Sequence, residues 1–383
     1  MVKINRKNFL LLLASSAVGI FLTSCLSRMG IAASIATTAE GTASSVSTES
    51  STSSTNSNAG SASTETTAKS STETTSQKSG SKTLKKEALV GIAGSGSTTG
   101  NLSAQIEKAV ALAGGFGFIK KGSTVLLKPN FNTGDPHPAS TNPEVIRHVI
   151  RLVKNQDPYA ILIGDRSSFW TDTLNCMKKN GAHEVAEQEG AELYPFDNAE
   201  WVKISPAKAK AWPKGFTVPK ILNEVDYVIS IPVIKTHSIA AFTMAIKNWV
   251  GILEPLQRTT DLHLFNSNKD TFGHMLAELH LARTADFIIM DGTKVFVEGG
   301  PTEGNVVEAG LVVASNDIIA NDVVGLAILK TLGTIPNIQD SSVWSQPQIA
   351  RAVELELGAG STRDIRINSE NVRDIDSIIE NLL

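Results

Sequence analysis

Between Asp226 and His263 the chain gathers side chains that hold charge and move protons: Lys235-Thr236-His237, then Lys247-Asn248, then His263. An imidazole accepts or donates a proton near neutral pH. A lysine amine buried near other cations loses its proton and becomes a nucleophile. Two histidines plus an aspartate can form an open catalytic metal site, although His237 and His263 lack the close ligand spacing of a zinc helix. His274 and His280 are six residues apart and so do not share a helix face as a metal pair. Lys128, Lys235 and Lys247 suit the binding of a carboxylate or phosphate, and Asp165, Asp291 and Asp317 suit a metal or a substrate hydroxyl. The structural alternative for each is pairing with one another at the rim of a sheet, or helix capping for an aspartate at a strand end.

The elements that must position these groups read as strands alternating with helices. The continuous apolar run Tyr227–Ile231 predicts a strand buried on both faces. Lys235, Thr236 and His237 follow its carboxyl end, where open α/β sheets bind ligands. Further strands are expected at 88–93, 123–127 (leading to Lys128), 159–165 (ending at Asp165), 287–292 (with the acid Asp291 at its end) and 311–317, with a last one at 365–367. The Thr141-Asn142-Pro143-Glu144 sequence starts a helix, with a polar cap and proline in the first turn. Other helices are expected at 173–180, holding Cys176 as an inert thiol, at 270–285, and from Asp322 to Leu329. The fold class is therefore α/β, a mostly parallel sheet with helices on both faces. Periodicity leaves one large domain and two lobes equally open. The Gly94–Gly100 turn is either an anion cradle or a plain strand-to-helix turn; it has neither the P-loop nor the dinucleotide spacing.

Composition narrows the class. With a net charge of −3 over 383 residues and 5% aromatics, the chain has no nucleic-acid footprint. Its two cysteines exclude a disulfide framework and an all-cysteine metal cage within the chain. Residues 1–24 pair a basic start (Lys3, Arg6, Lys7) with an apolar run from Phe9 to Leu22, the pattern of a secretory signal peptide. Leu22-Thr-Ser-Cys25 resembles a bacterial lipoprotein signal, which implies lipidation at Cys25 and a membrane-anchored, extracytoplasmic protein. Arg6-Lys7-Asn8-Phe9-Leu10 is similar to a twin-arginine export signal with its second arginine replaced; general secretion is the favoured route. Residues 25–86 are rich in Ser and Thr with little to bury, the composition of a disordered tether. The folded domain is expected over 87–383.

Lys128-Pro-Asn, Gly164-Asp165, Ile231-Pro-Val-Ile-Lys-Thr-His237, Ile246-Lys-Asn-Trp-Val-Gly251, Asp291-Gly292, Glu298-Gly-Gly-Pro301 and Asp317 with Asp322 together resemble the bacterial and archaeal domain of unknown function 362 family. More distantly, His237, Lys247 and His263 occur in the order and spacing of the nickel-pincer lactate racemase family. That resemblance implies His237 as acid/base, Lys247 as the covalent tether of a pincer nucleotide, and His263 as a nickel ligand. Two features depart from it. Met244-Ala245 replaces the glycine pair before the lysine, and the Gly-Thr-His carrying a second catalytic histidine has no counterpart, with Gly164-Asp165-Arg166 in roughly its place.

The leading expectation is an exported lipoprotein enzyme that uses a metal or metal cofactor for proton or hydride transfer on a small organic acid. In it His237 and Asp165 are catalytic, Lys247 and Asn248 bind the cofactor, His263 ligates the metal, and Lys128, Lys235 and Asp291 hold the substrate. The competing expectation is a non-catalytic solute-binding lipoprotein for a small anion.

Overall fold

The computed structural model describes residues 87–95, 101–264 and 268–383. The expected signal peptide, Cys25, the Ser/Thr-rich stretch and most of the glycine–serine turn lie outside these residues. In chain order the strands are β1 (Ala88–Gly94), β2 (Thr124–Pro129), β3 (Ala160–Ile163), β4 (Glu192–Leu193), β5 (Trp201–Ile204), β6 (Phe216–Pro219), β7 (Tyr227–Ile231), β8 (Val233–His237), β9 (Ala241–Thr243), β10 (Phe287–Gly299), β11 (Gly304–Val307), β12 (Leu311–Ser315) and β13 (Ile365–Glu370).

The main sheet runs in the order β13-β1-β12-β10-β7-β2-β3-β4, while β5 and β6 form a separate hairpin. The neighbours in the main sheet are parallel except at β12, which is antiparallel to both β1 and β10. Because side chains alternate along a strand, each strand feeds two cores. Val90, Leu126, Val228, Ile288 and Val313 enter one; Val125, Leu127, Ile229, Ile289 and Ala314 enter the other. The helices Leu102–Leu112 and Pro143–Lys154 cover the second core with Ile106, Val145 and Val149. The helices Lys269–Glu278 and Ile318–Leu332 cover the first with Phe272, Leu276, Ile319 and Val323. Burial on both faces explains the continuous apolar runs in the sequence. Residues Lys85–Leu383 form one compact unit. No helix of the described residues is long and apolar enough to cross a membrane.

Three local differences from the sequence reading bear on the site. Lys235, Thr236 and His237 follow β7 as a strand of their own: Pro232 divides the segment, and they belong to β8, which pairs with β10 and β9. Asp291 does not end its strand, because β10 continues to Gly299. Asp322 does not open the helix Ile318–Leu332. Asp317 caps that helix by accepting from the Ile319 and Ala320 N–H groups at 2.9 Å each, and Asp322 lies about one turn inside.

Candidate functional site

The β8–β9 hairpin sets the geometry. Lys235 and His237 are two residues apart and so share a face of β8, and Lys235 stands directly opposite Thr243 of β9. Thr236 faces the other way, where its hydroxyl donates to the Phe296 carbonyl at 3.2 Å. Straight after β9 comes the short helix Ala245–Asn248, which carries Lys247. No side chain of its own caps this helix. Asp322 does so from across the core, its carboxylate accepting from Ala245 N at 2.7 Å and Ile246 N at 2.9 Å. His280 props the same helix by stacking on Trp249 at 4.8 Å and donating from Nε2 to the Ile246 carbonyl at 3.1 Å.

These elements close around a cavity of about 30 Å³. Lys235, His237, Thr243, Lys247, Asn248 and Arg258 line it, joined by Asn130, Asp165 and Arg166 from the ends of β2 and β3 and by Pro301. Among the described residues the wall is rich in basic groups and has one carboxylate, Asp165. That carboxylate is already engaged. Its Oδ1 accepts from Lys128 Nζ at 2.7 Å and from Arg166 N at 2.9 Å, and its Oδ2 accepts from Phe131 N at 2.7 Å. Gly251 permits the close approach: a Cβ there would overlap Asp165 Oδ1 and lie 2.8 Å from Lys128 Nζ.

Apart from Arg166, which has Asp197 at 3.6 Å, the basic groups facing the cavity have no carboxylate at ion-pair distance among the described residues. Lys235 Nζ donates to the carbonyls of Ala139 at 2.5 Å and Pro301 at 2.9 Å, and burial pushes its amine down to about 7. Among the described residues Lys247 Nζ has no hydrogen bond and no ion pair. Burial, with Arg258 and Lys235 nearby, pushes it well below the usual lysine range. Burial and the same cations hold His237 well below the ordinary imidazole value. Its Nδ1 accepts from the N–H groups of Ile239 at 3.1 Å and Ala240 at 3.3 Å, which assigns the proton of the neutral ring to Nε2. The Arg258 guanidinium donates to the Arg166 and Ser167 carbonyls at 3.0 Å each and to Asn132 Oδ1 at 2.8 Å. Two buried oxygens of the wall, Asn130 Oδ1 and Thr243 Oγ1, have no partner among the described residues.

The structure thus brings together Lys235, His237, Lys247, Asn248 and Asp165, and corrects several expectations. Lys128 was expected to hold substrate, but it is fully buried, and its Nζ is occupied by Asp165, Asn248 Oδ1 at 3.3 Å and the Pro129 carbonyl at 3.1 Å. Asp165 is the fixed partner of Lys128 rather than a free base or metal ligand. Asn248 spends its amide on the Lys128 carbonyl and Ser230 Oγ, both at 3.1 Å. Asp291 lies in a separate cluster, 3.2 Å from His137 Nδ1 and accepting from Thr293 Oγ1 at 2.7 Å. His263 does not line the cavity. It donates from Nδ1 to the Arg258 carbonyl at 2.6 Å, and burial together with Arg258 pushes it down to about 4. Among the described residues no group of three or more His, Cys, Asp or Glu side chains could hold a metal. Arg258, Thr243 and Asp322 were not singled out by sequence reasoning as site residues. A lone arginine between Lys247 and His263 was the available signal for the first.

Comparison with known proteins gives three findings. The family described as domain of unknown function (DUF362) matches residues 125–327. A thylakoid-associated protein of Synechocystis sp. is 30% identical over 245 residues, which are 62% of this chain and 74% of that protein. Two solved structures are similar in part. The lactate racemase apoprotein from Thermoanaerobacterium thermosaccharolyticum has a TM-score of 0.36 and 16% identity over 54% of this chain and 50% of that one. A protein from Thermotoga maritima has a TM-score of 0.37 and 12% identity over 60% and 56%. This chain therefore spans about half the length of either structure.

Proposed function

This chain belongs to the DUF362 family, whose description assigns no activity, and on that premise we propose that its cavity takes a small organic anion and moves a proton on it. The charge balance of the wall carries the reading. Lys235, His237, Lys247 and Arg258 are buried around one cavity whose carboxylate is committed to Lys128. A buried cation without a counter-charge is costly, so a bound anion stabilises Arg258 and pulls a proton back onto Lys235, whose amine sits at about 7. Lys235 keeps one N–H free after its two carbonyl contacts, and the partnerless Thr243 hydroxyl stands opposite it. His237, with its proton on Nε2, is the acid for a developing oxyanion, and the uncharged Lys247 amine is the base.

A metal ion held by protein side chains alone does not fit this wall. The described residues supply no three-ligand group, and the surrounding cations repel a divalent ion. Lys247 would carry a cofactor covalently, with His237 in the same wall and His263 outside it, its Nδ1 on the Arg258 carbonyl; when bound the group would supply hydride chemistry. The intact mass of the protein from its native host tests that finer reading. In the same proposal, a lipid on Cys25 anchors the chain at the extracytoplasmic face of the membrane; a relative described as thylakoid-associated is in keeping with a membrane location.

The test is calorimetric binding of small carboxylates and phosphate to the full chain in buffers of differing ionisation enthalpy. Binding should take up protons and weaken as pH rises past about 7, where Lys235 loses its charge. An absence of binding at millimolar anion, or binding unchanged in Lys235→Met, sinks the proposal. Exchange of a bound acid's α-hydrogen with deuterated water separates an enzyme from a receptor that only holds the anion.

A further inference from the structure

We propose that Lys247 is a nucleophile that captures a small 2-oxo acid as an imine, with the acid's carboxylate seated between Lys235 and Thr243. This inference rests on the cavity being an anion site, as proposed above, and adds the substrate's carbonyl and the covalent step.

The argument begins with what Lys247 lacks. Its side chain is 8% exposed and lines the cavity, yet its amine has no ion-pair partner among the described residues. Lys128, another lysine of this neighbourhood, takes the wall's carboxylate. A buried amine beside Arg258 and Lys235 with no anion to hold its proton stays unprotonated, which is the state a nucleophile needs. Burial and those two cations both lower its proton affinity. A merely structural lysine would be expected to bond its Nζ, as Lys128 does three times.

The surroundings then select the electrophile. The β8–β9 register places Lys235 and Thr243 directly opposite on one face, close enough to share one ligand group. Lys235 has one N–H to give, and the Thr243 hydroxyl is buried without a partner. Together they make a two-point seat for a carboxylate. The third requirement is a proton donor at the carbonyl oxygen, and His237 supplies it because two backbone N–H groups occupy its Nδ1 and leave the proton on Nε2. Asn130 Oδ1, also buried and partnerless in the wall, is available to accept from the hydroxyl formed next. The cavity is small, about 30 Å³, so the shortest members of the class, glyoxylate and pyruvate, are the ones to test.

The chemistry balances without an oxidant or reductant. The Lys247 lone pair adds to the 2-carbon, and the carbonyl oxygen takes the His237 Nε2 proton to give a carbinolamine. The nitrogen gives up a proton, which restores His237. The hydroxyl then leaves with a proton as water, a second nitrogen proton is released, and the C=N bond forms. One amine and one ketone give one imine and one water.

The experiment incubates the full chain with glyoxylate or pyruvate, with and without sodium borohydride, and follows thermal shift, intact mass and peptide mass in parallel. The expected result is a melting temperature that rises with the oxo acid and a borohydride-dependent adduct at Lys247. The adduct should fall at least tenfold in a folded Lys247→Met variant and should be reduced in Thr243→Val. A thermal shift without a Lys247 adduct overturns the imine and leaves the anion site standing. No shift with the oxo acids or with unreactive acetate and lactate overturns both. Adducts spread equally over surface lysines in the parent and Lys247→Met, or a Lys247 already modified before treatment, also overturn the imine.

Discussion

Lys128 and Lys247 are both buried lysines of one neighbourhood, and they illustrate two outcomes for the same side chain. Lys128 is fully buried, with a carboxylate at 2.7 Å and two further oxygens within 3.3 Å. Burial alone would strip its proton, and Asp165 opposes that loss. Lys247, on the helix Ala245–Asn248, has no such partner among the described residues and is pushed well below the lysine range. One pair builds the wall of the cavity, and the other lysine is left for what enters it. Burial and residue type do not separate structural from reactive lysines here; the presence of a committed carboxylate does.

The largest effect expected from this difference is on the built pair. Lys128→Met leaves Asp165 buried and without its ammonium, and should destabilise the fold by about 3–5 kcal/mol, the usual cost of removing one partner of a buried pair. Urea unfolding measures it. A loss below about 1 kcal/mol would place the pair among those of little consequence and remove the contrast. Next in size is a pH dependence. Lys235 has a folded value of about 7 against 10.5 for the free side chain, so between these values the unfolded chain binds the extra proton and stability rises with pH. At about 1.36 kcal/mol per unit, the parent should gain up to about 4 kcal/mol over Lys235→Met between pH 7 and pH 10. Parallel stability curves would mean that Lys235 keeps its proton.

How much of this contrast was legible beforehand depended on the kind of interaction. The strands were readable because burial on both faces writes uninterrupted apolar runs, as in Tyr227–Ile231 and Leu311–Ser315. The candidate lysines and histidines were visible as polar residues next to such runs. Which of them pair was not visible. Lys128 meets Asp165 because β2 and β3 are neighbours, and Asp291 meets His137 across the fold, through pairings that local pattern does not encode. Pro232 was in plain sight, yet its effect, a second strand that turns Lys235 and His237 onto one face, follows from pairing with β10 and β9. Arg258 was missed because its role is to bridge the carbonyls of Arg166 and Ser167, which carry no side-chain signal.

Asp322 offers a third, smaller test, because it holds the element on which Lys247 stands. Its two oxygens each take one N–H at the start of the Ala245–Asn248 helix, and burial pushes its carboxyl up to about 7 against their pull. Asp322→Asn keeps the shape but offers one acceptor for two donors. One buried N–H is then orphaned, and the expected loss is about 1–2 kcal/mol, read by urea unfolding, with weaker anion binding because Lys247 is no longer held in place. Unchanged anion affinity would show that the His280 prop holds the helix without Asp322.

Lys247→Met should have the smallest effect on stability, within about 1 kcal/mol of the parent, since a flexible apolar chain of similar length replaces an unpaired amine. The same substitution at Lys128 should be several times more costly, although both sites are buried and both lose one ammonium group from the sequence. Comparing the two variants cancels the change in residue type and isolates the partner. Equal losses would mean that Lys247 is charged and held by an anion in the folded protein, and the two lysines would then differ only in address. A loss at Lys128 alone, with Lys247→Met folded and unable to bind the anion, makes the second lysine dispensable to the fold and necessary to the site.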